Sequence, residues 1–300
     1  MRIASVPPSL QLPSPHPYPR HATVGVSVEH HFGRYAAEHD LDTDWIYLPI
    51  YWTANYVATE FKAQETTQGV IDGLSPVERY FTIVQADDGV YETLPNNVLV
   101  FGAGGTGDVP IPLLCDPHQI PNCNRSKRYL ASFVGHVECG GPEAPELLHS
   151  SWDIDGAGAR VRRAMMTAFS GNPSCHLVDQ QGGTFDDAEC FRLYAALSVF
   201  SLAPRGYGKT SFRLYEVMGL GSIPVYIYDE SWLPYQDVID WAEFCVLCPA
   251  GEIWTLPERL RQTTSEWREN ARATIARLLP DYFTKDGMCR QIFRMIEERT

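Results

Sequence analysis

SLAPRGYGKTSFRLYEVMGLGSIPVYIYD, residues 201–229, reads as strand, tight loop, helix, turn and strand. The lead-in from Leu197 to Leu202 is a short, mostly apolar run suited to a buried strand. Pro204 should end it, because proline cannot donate to a sheet ladder. Gly206 and Gly208 let the backbone turn sharply and approach a ligand closely. Thr210 or Ser211 can cap a helix that carries Leu214, Val217 and Met218 at helical spacing, and Gly219 and Gly221 stop it. Residues 223–227 form the next strand, closing on Asp229. A helix N-terminus behind a glycine-rich loop is an anion site, with outward N–H groups and about half a positive charge. Arg205, Lys209 and Arg213 add full charges, and Glu216 places one carboxylate near the same end. Cations for a diphosphate beside one acid for ribose hydroxyls describe a nucleotide site.

Two families fit this stretch. A relaxed Walker A pattern runs from Ala203 to Gly208-Lys209-Thr210, with Asp229 as a metal-binding strand end. Three features count against it. Ala203 replaces the usual glycine, Pro204 has no N–H for phosphate, and the chain beyond Asp229 looks largely helical where a P-loop core needs more parallel strands. The whole run Leu202–Glu216, then Gly221–Asp229, Leu233-Pro234 and Ile239-Asp240-Trp241, instead resembles the C-terminal half of exostosin-like glycosyltransferases, glycosyltransferase family 47. With gaps, the resemblance extends from about Asp44 to Met295.

The resemblance implies an α/β protein of the GT-B type: two Rossmann-like domains facing a cleft, with a C-terminal helix crossing back. It implies an inverting transfer from a nucleotide sugar, most often a UDP-sugar in that family, to a glycan acceptor, with no cofactor. The domains expected are an N-terminal acceptor-side unit over 21–125, a nucleotide-sugar-binding unit over 126–279, and a final helix over 280–300 that packs back toward the first. The diphosphate is expected on Arg205, Gly206, Tyr207, Gly208, Lys209, Thr210, Ser211 and Arg213, with Ser211 donating its hydroxyl and Glu216 binding ribose. A nucleotide-sugar or glycan-binding module of the same fold without catalysis is the alternative, and a P-loop-type NTPase a distant third.

At 300 residues and 44% hydrophobic composition the chain can bury a proper core. Its net charge of −13 argues against nucleic acid and anionic membranes as partners. No run of 18 apolar residues exists, so no transmembrane segment is expected. Residues 1–20, rich in Pro and Ser, look like a disordered tail without a signal core. A cytoplasmic location follows from that reading, and a Golgi lumen, the usual address of exostosins, only if the chain is a fragment. The eight cysteines are scattered. Cys245 and Cys248 form a lone Cys-x-x-Cys within an expected strand, Cys115 and Cys123 could pair only in an oxidising compartment, and the sequon at Asn124 matters only after secretion.

Residues 21–125 alternate strands and helices: strands at Val24-Val28, 45–52, 80–85 and 97–101, and helices over 30–41 and 65–79. Asp42-Thr-Asp44 imitates a metal motif but precedes its strand, and Asp153-Ile-Asp155 has no strand before it, so no catalytic metal is expected. Asp87 and Asp88 directly follow the strand 80–85, where open α/β sheets bind ligands, and either is a candidate base for the acceptor hydroxyl. A solvated turn before Gly89 explains them equally well; His30 and His31 are rivals. The glycine-rich loop 102–107 either shapes the acceptor cleft or is a turn, and 110–126 looks like a connection.

The second unit opens on a strand over 129–135, after which His136 touches phosphate or sits on the surface. Arg160, Arg162 and Arg163 lie on a helix running to Phe169, followed by a strand at 175–178 and a helix over 186–197. Thr255-Leu-Pro-Glu258 reads as a capping box for a helix carrying Leu260, Trp267, Ala271, Ile275 and Leu278, broken at Pro280. Met288, Ile292, Met295 and Ile296 form the stripe of a last helix.

Overall fold

The computed structural model describes residues 1–13, 27–60, 62–119, 126–138, 156–180 and 185–300. In chain order these form β1 (Arg2–Ile3), α1 (Val28–Glu38), β2 (Ile46–Tyr47), α2 (Trp52–Ala58), α3 (Glu65–Asp72), β3 (Tyr80–Val84), β4 (Val98–Gly102), β5 (Val109–Pro110), β6 (Tyr129–Gly135), α4 (Ala157–Ala168), β7 (Cys175–Asp179), α5 (Phe185–Leu197), β8 (Ser198–Pro204), α6 (Phe212–Gly219), β9 (Ile223–Tyr228), β10 (Val246–Pro249), α7 (Leu256–Gln262), α8 (Ser265–Tyr282) and α9 (Lys285–Glu297). Two units divide the chain: Met1–Asp116 with Pro280–Thr300, and Pro117–Leu279. Each holds a five-stranded parallel sheet, as the alternation of strands and helices implied.

In the first unit the strands lie in sequence order, β1-β2-β3-β4-β5. All five β3 side chains are buried, the pattern of a parallel strand covered on both faces. Phe32 of α1 sets its ring edge-on to Tyr47, Phe81 and Phe293 of α9, so α9 belongs to this core. Each fully buried ring or branched aliphatic of this kind contributes roughly 1.5–3 kcal/mol. The stripe Met288, Ile292, Met295 and Ile296 is buried, and Thr284 caps the helix through Gly287 N at 3.0 Å.

Several local expectations for this unit need correcting. Residues 1–13 are ordered, not tail: Arg2–Ile3 pairs with Ile46–Tyr47, and Leu10 is buried among Leu48, Ile50 and Trp52. Val28 opens a helix and no strand, because Ser27 Oγ accepts the His30 N–H at 3.2 Å; Val24 and Val26 lie outside the described residues. The aromatic run 45–52 keeps only two strand residues. Pro49 interrupts the ladder, Ile50 N turns back to Leu48 O, and Trp52 begins α2 with its indole donating to Thr82 Oγ1 at 2.8 Å. Helix α3 stops at Asp72, before Gly73 and Pro76.

In the second unit the order is β10-β9-β8-β6-β7. The chain runs outward from β6 to β7, then α5 carries it back across β6 to start β8 on the other side. The sheet therefore changes direction between β6 and β8, and the loops after those two strands flank the switch. Strand β8 runs through Pro204, which pairs with Ile227 as the last residue and so needs no further ladder. Ser211 is the N-cap of α6, and Leu214, Val217 and Met218 bury its inner face. Gly221 adopts φ +76°, the left-handed turn that returns the chain to β9. The expected capping box is absent: Thr255 Oγ1 donates to Glu252 O and caps nothing. The long helix is two helices, because Thr264 Oγ1 takes the Trp267 N–H and starts α8 afresh, and α8 runs two residues past Pro280. Among the described residues no helix is long and apolar enough to cross a membrane.

Candidate functional site

The loop after β8 is built around Arg205. Its side chain is 12% exposed, and Nη1 donates to both Asp229 oxygens at 2.8 and 2.6 Å. Nε donates to Gly208 O at 3.1 Å and Nη2 to Tyr207 O at 2.5 Å. Three of the five N–H groups of the guanidinium, on all three nitrogens, are thus spent on the loop and on Asp229. Gly206 N meets Thr210 O at 2.8 Å, and a Cβ on Gly206 would lie 3.2 Å from that same oxygen, so the loop closes tightly at this glycine. Lys209 points to Glu230 at 2.5 Å and over the Trp232 ring, while its carbonyl accepts from Tyr226 Oη. Thr210 is buried beside Tyr215. Ser211 Oγ accepts from Arg213 N, and its own hydroxyl hydrogen is still a donor.

Arg213 is half-buried. Its Nη2 donates to Val134 O at 2.7 Å, its guanidinium lies 4.5 Å from the Phe133 ring centre and 5.1 Å from that of Phe191, and its Nε has no hydrogen-bond partner among the described residues. Burial, and then the charge of Arg162, push its pKa down to about 10, so the group stays cationic at neutral pH but is short of counter-charge. Gly135 is what lets it sit there. A methyl on Gly135 would be 2.5 Å from Arg213 Nη2. Gly135→Ala is expected to push the guanidinium off Phe133 and cost about 1–3 kcal/mol. Urea unfolding measures this, and an unchanged midpoint would show that the side chain has room to move.

Arg162 of α4 ties the two loops at the switch together: Nη1 donates to His136 O at 2.7 Å and Nε to Arg205 O at 3.1 Å. His136 is half-buried, with its carbonyl on Arg162. Arg163 turns instead to Glu138 in the open. Glu216 of α6 accepts from His118 Nε2 at 2.8 Å, and both side chains are largely buried. His118 and Phe191 are neighbours that sequence reading passed over; Arg162, Phe133 and Asp229 it met on their helix and strands without these contacts. The three closely spaced arginines around Arg162 were a signal, whereas nothing in the sequence joins His118 to a residue 98 positions away.

In the first unit Asp87 and Asp88 follow β3, and Gly89 at φ +79° closes a turn onto Ala86 O. Asp88 Oδ2 accepts from Tyr91 Oη at 2.8 Å, and the Asp87 carbonyl accepts from Thr106 Oγ1. A Cβ on Gly104 would lie 2.5 Å from Asp87 Cα, so the glycine loop is packed directly on this turn. His31 Nε2 is 2.7 Å from Asp286 Oδ1. The pKa of His30 is lowered, first by burial and then by Arg34. Asp44 takes Arg79 Nη2 on its carboxylate, an exposed ion pair beside Trp45. Cys245 and Cys248 are buried thiols on or beside β10, and Cys123, Asn124, Asp153 and Asp155 lie outside the described residues.

Residues 102–263, just over half of the chain, match the family model of the exostosin GT47 domain. The chain belongs to the exostosin family of glycosyltransferases. The family match covers the whole β6–β10 sheet and stops short of Asp87 and Asp88. The exostosin-1 homolog of Caenorhabditis elegans is 34% identical over 217 residues, which is 64% of this chain and 54% of that protein. A protein of Oryza sativa subsp. japonica named a "Probable glucuronosyltransferase" is 28% identical over 181 residues, 56% of this chain and 39% of its own. This exostosin chain therefore spans about half the length, or less, of the curated relatives it matches. Among solved structures, sucrose-phosphate synthase from Thermosynechococcus elongatus aligns over 90% of this chain and 76% of its own, at 12% identity and a TM-score of 0.43. The pneumococcal O-GlcNAc transferase GtfA, in complex with UDP and GlcNAc, aligns over 90% and 59%, at 11% and 0.40.

Proposed function

We propose that this protein is an inverting, metal-independent glycosyltransferase that moves a sugar from a UDP-sugar to a hydroxyl of a glycan acceptor. One observation carries the reading: the loops and helices that flank the direction change of the β6–β10 sheet hold a capped helix N-terminus, Arg162, Arg205 and Arg213, and the carboxylate of Glu216, with Asp229 paired to Arg205. That combination suits a nucleoside diphosphate. The amides of residues 208–211, the Ser211 hydroxyl and the charge of Arg213 meet the phosphates, while Arg205 and Arg162 hold the loops in shape. Glu216 takes the ribose hydroxyls.

In the transfer, the acceptor oxygen attacks the anomeric carbon from the face opposite the diphosphate. The carbon–oxygen bond to phosphate breaks, its electron pair leaves with UDP, and the acceptor proton passes to a base. Asp87 or Asp88 is assigned that role on its position after β3. Charge grows on the leaving phosphate, and preorganised cations and N–H dipoles stabilise it as a divalent metal would elsewhere.

Calorimetry with UDP, GDP and ATP, with and without magnesium, tests this. Metal-independent binding of UDP, weakened at least tenfold by Glu216→Ala, is expected; a tenfold loss is about 1.4 kcal/mol. ATP binding that requires magnesium and ignores Glu216 would overturn it in favour of an NTPase. UDP-glucuronic acid belongs in the donor screen, because the rice relative is named for that transfer.

A further inference from the structure

His118 stands outside every motif in the sequence, yet its ring Nε2 lies 2.8 Å from Glu216 Oε1. The two side chains are 5% and 14% exposed. An ionised carboxylate only accepts, so Nε2 carries the hydrogen and donates. The ring is fixed from its flank: Phe191 of α5 meets it edge-on at 5.8 Å between centres, and the same Phe191 lies under the Arg213 guanidinium. Glu216 also stands near Arg213, whose cationic form its charge supports. A carboxylate near both a histidine and a half-buried arginine has two cationic or donor groups to choose between. If it swung onto Arg213 it would neutralise the cation and leave its present direction. The His118 bond fixes one oxygen of the carboxylate and so helps to set the plane of the group.

We propose that His118 is a positioning residue for nucleotide recognition: it holds Glu216 off Arg213 and aims its carboxylate at the ribose hydroxyls of the bound nucleotide. The inference rests on the nucleotide-sugar reading above and adds a residue to it. It makes a prediction about one part of the ligand only. Losing the Nε2 donor should erase the advantage that ribose hydroxyls give, whatever else it does to affinity.

The experiment compares UDP with 2′,3′-dideoxy-UDP by calorimetry on the full chain, in wild type, His118→Phe and His118→Gln. The phenylalanine keeps a ring against Phe191 and has no donor, while the glutamine amide keeps a donor. Hydrogen bonds to a charged group are worth about 1.5–3 kcal/mol, so wild type should favour UDP by about tenfold or more. In His118→Phe the preference should fall to within about twofold, and His118→Gln should restore most of it. An undiminished preference in His118→Phe overturns the proposal even though UDP binds. Failure of wild type to bind UDP at all overturns the nucleotide reading first and this inference with it. A second measurement on wild type covers a variant that does not fold: the 15N signals of the His118 ring should move on adding UDP and stay in place with the dideoxy nucleotide. Equal movement with both ligands, or none with UDP, refutes the role.

Discussion

Arg205→Ala is expected to lower turnover of a UDP-sugar by about 100-fold or more, and to lower the unfolding free energy by about 2 kcal/mol. The first figure is the loss expected when the amides and hydroxyl proposed to meet the phosphates are no longer held in place by this side chain, roughly that of one preorganised donor, about 3 kcal/mol. The second follows from what the guanidinium touches. It is largely buried, and its removal strips Asp229 of two hydrogen bonds and leaves the carbonyls of Tyr207 and Gly208 without theirs. The structure gives this arginine a role the sequence did not suggest. Most of its N–H groups clamp the loop, so within the proposed site it shapes the loop more than it grips a phosphate. Arg205→Lys keeps the charge and cannot span Asp229 and two carbonyls at once, so it should recover little of the loss. Initial rates of UDP release and urea midpoints on both variants check this. Near-normal turnover in Arg205→Ala would remove the loop from the mechanism.

Stability is expected to fall, by up to about 3 kcal/mol, as pH rises from about 4.5 to about 7, and Glu29→Gln should abolish that fall. Glu29, at the start of α1, is fully buried, and burial raises its pKa from 4.5 to about 7 against the opposing pull of its hydrogen bonds. Its carboxylate accepts from Thr53 N at 3.1 Å, from Thr53 Oγ1 at 2.6 Å and from Gln85 N at 2.7 Å, so it pins the start of α2 and the end of β3 to α1. The folded state holds a proton that the unfolded chain releases at lower pH. The stabilisation is therefore complete below the unfolded value and lost as pH climbs through the folded one. Every tenfold gain in proton affinity on folding is worth about 1.4 kcal/mol. Urea titrations at pH 5 and pH 7.5 on both proteins decide it: relative to wild type, the glutamine variant should gain about 3 kcal/mol between the two. Parallel pH profiles would show that another group sets the slope.

Much of the second unit was legible because its elements are local. Strand, loop, capped helix and strand follow one another from Ser198 to Tyr228 in an order that hydrophobic spacing and glycine placement dictate, and Tyr129–Gly135 emerged with the expected ends. The first unit read less well. Its strand β2 is two residues long and its first strand was mistaken for tail, because an aromatic run such as 45–52 suits a strand or a buried helix start equally, and only contacts with Thr82 and Leu48 choose. The chain's own residues, through short-range sterics and patterning, determined the α/β class of the fold, the tight loop before α6 and the nearness in the chain of Arg205, Ser211, Arg213 and Glu216. What only the tertiary structure decided is who faces whom. The reversal between β6 and β8, the Arg162 bridge, the sandwiching of Arg213 and the His118–Glu216 bond all join residues far apart in sequence, and such pairings depend on how the sheet is ordered, which no local propensity encodes.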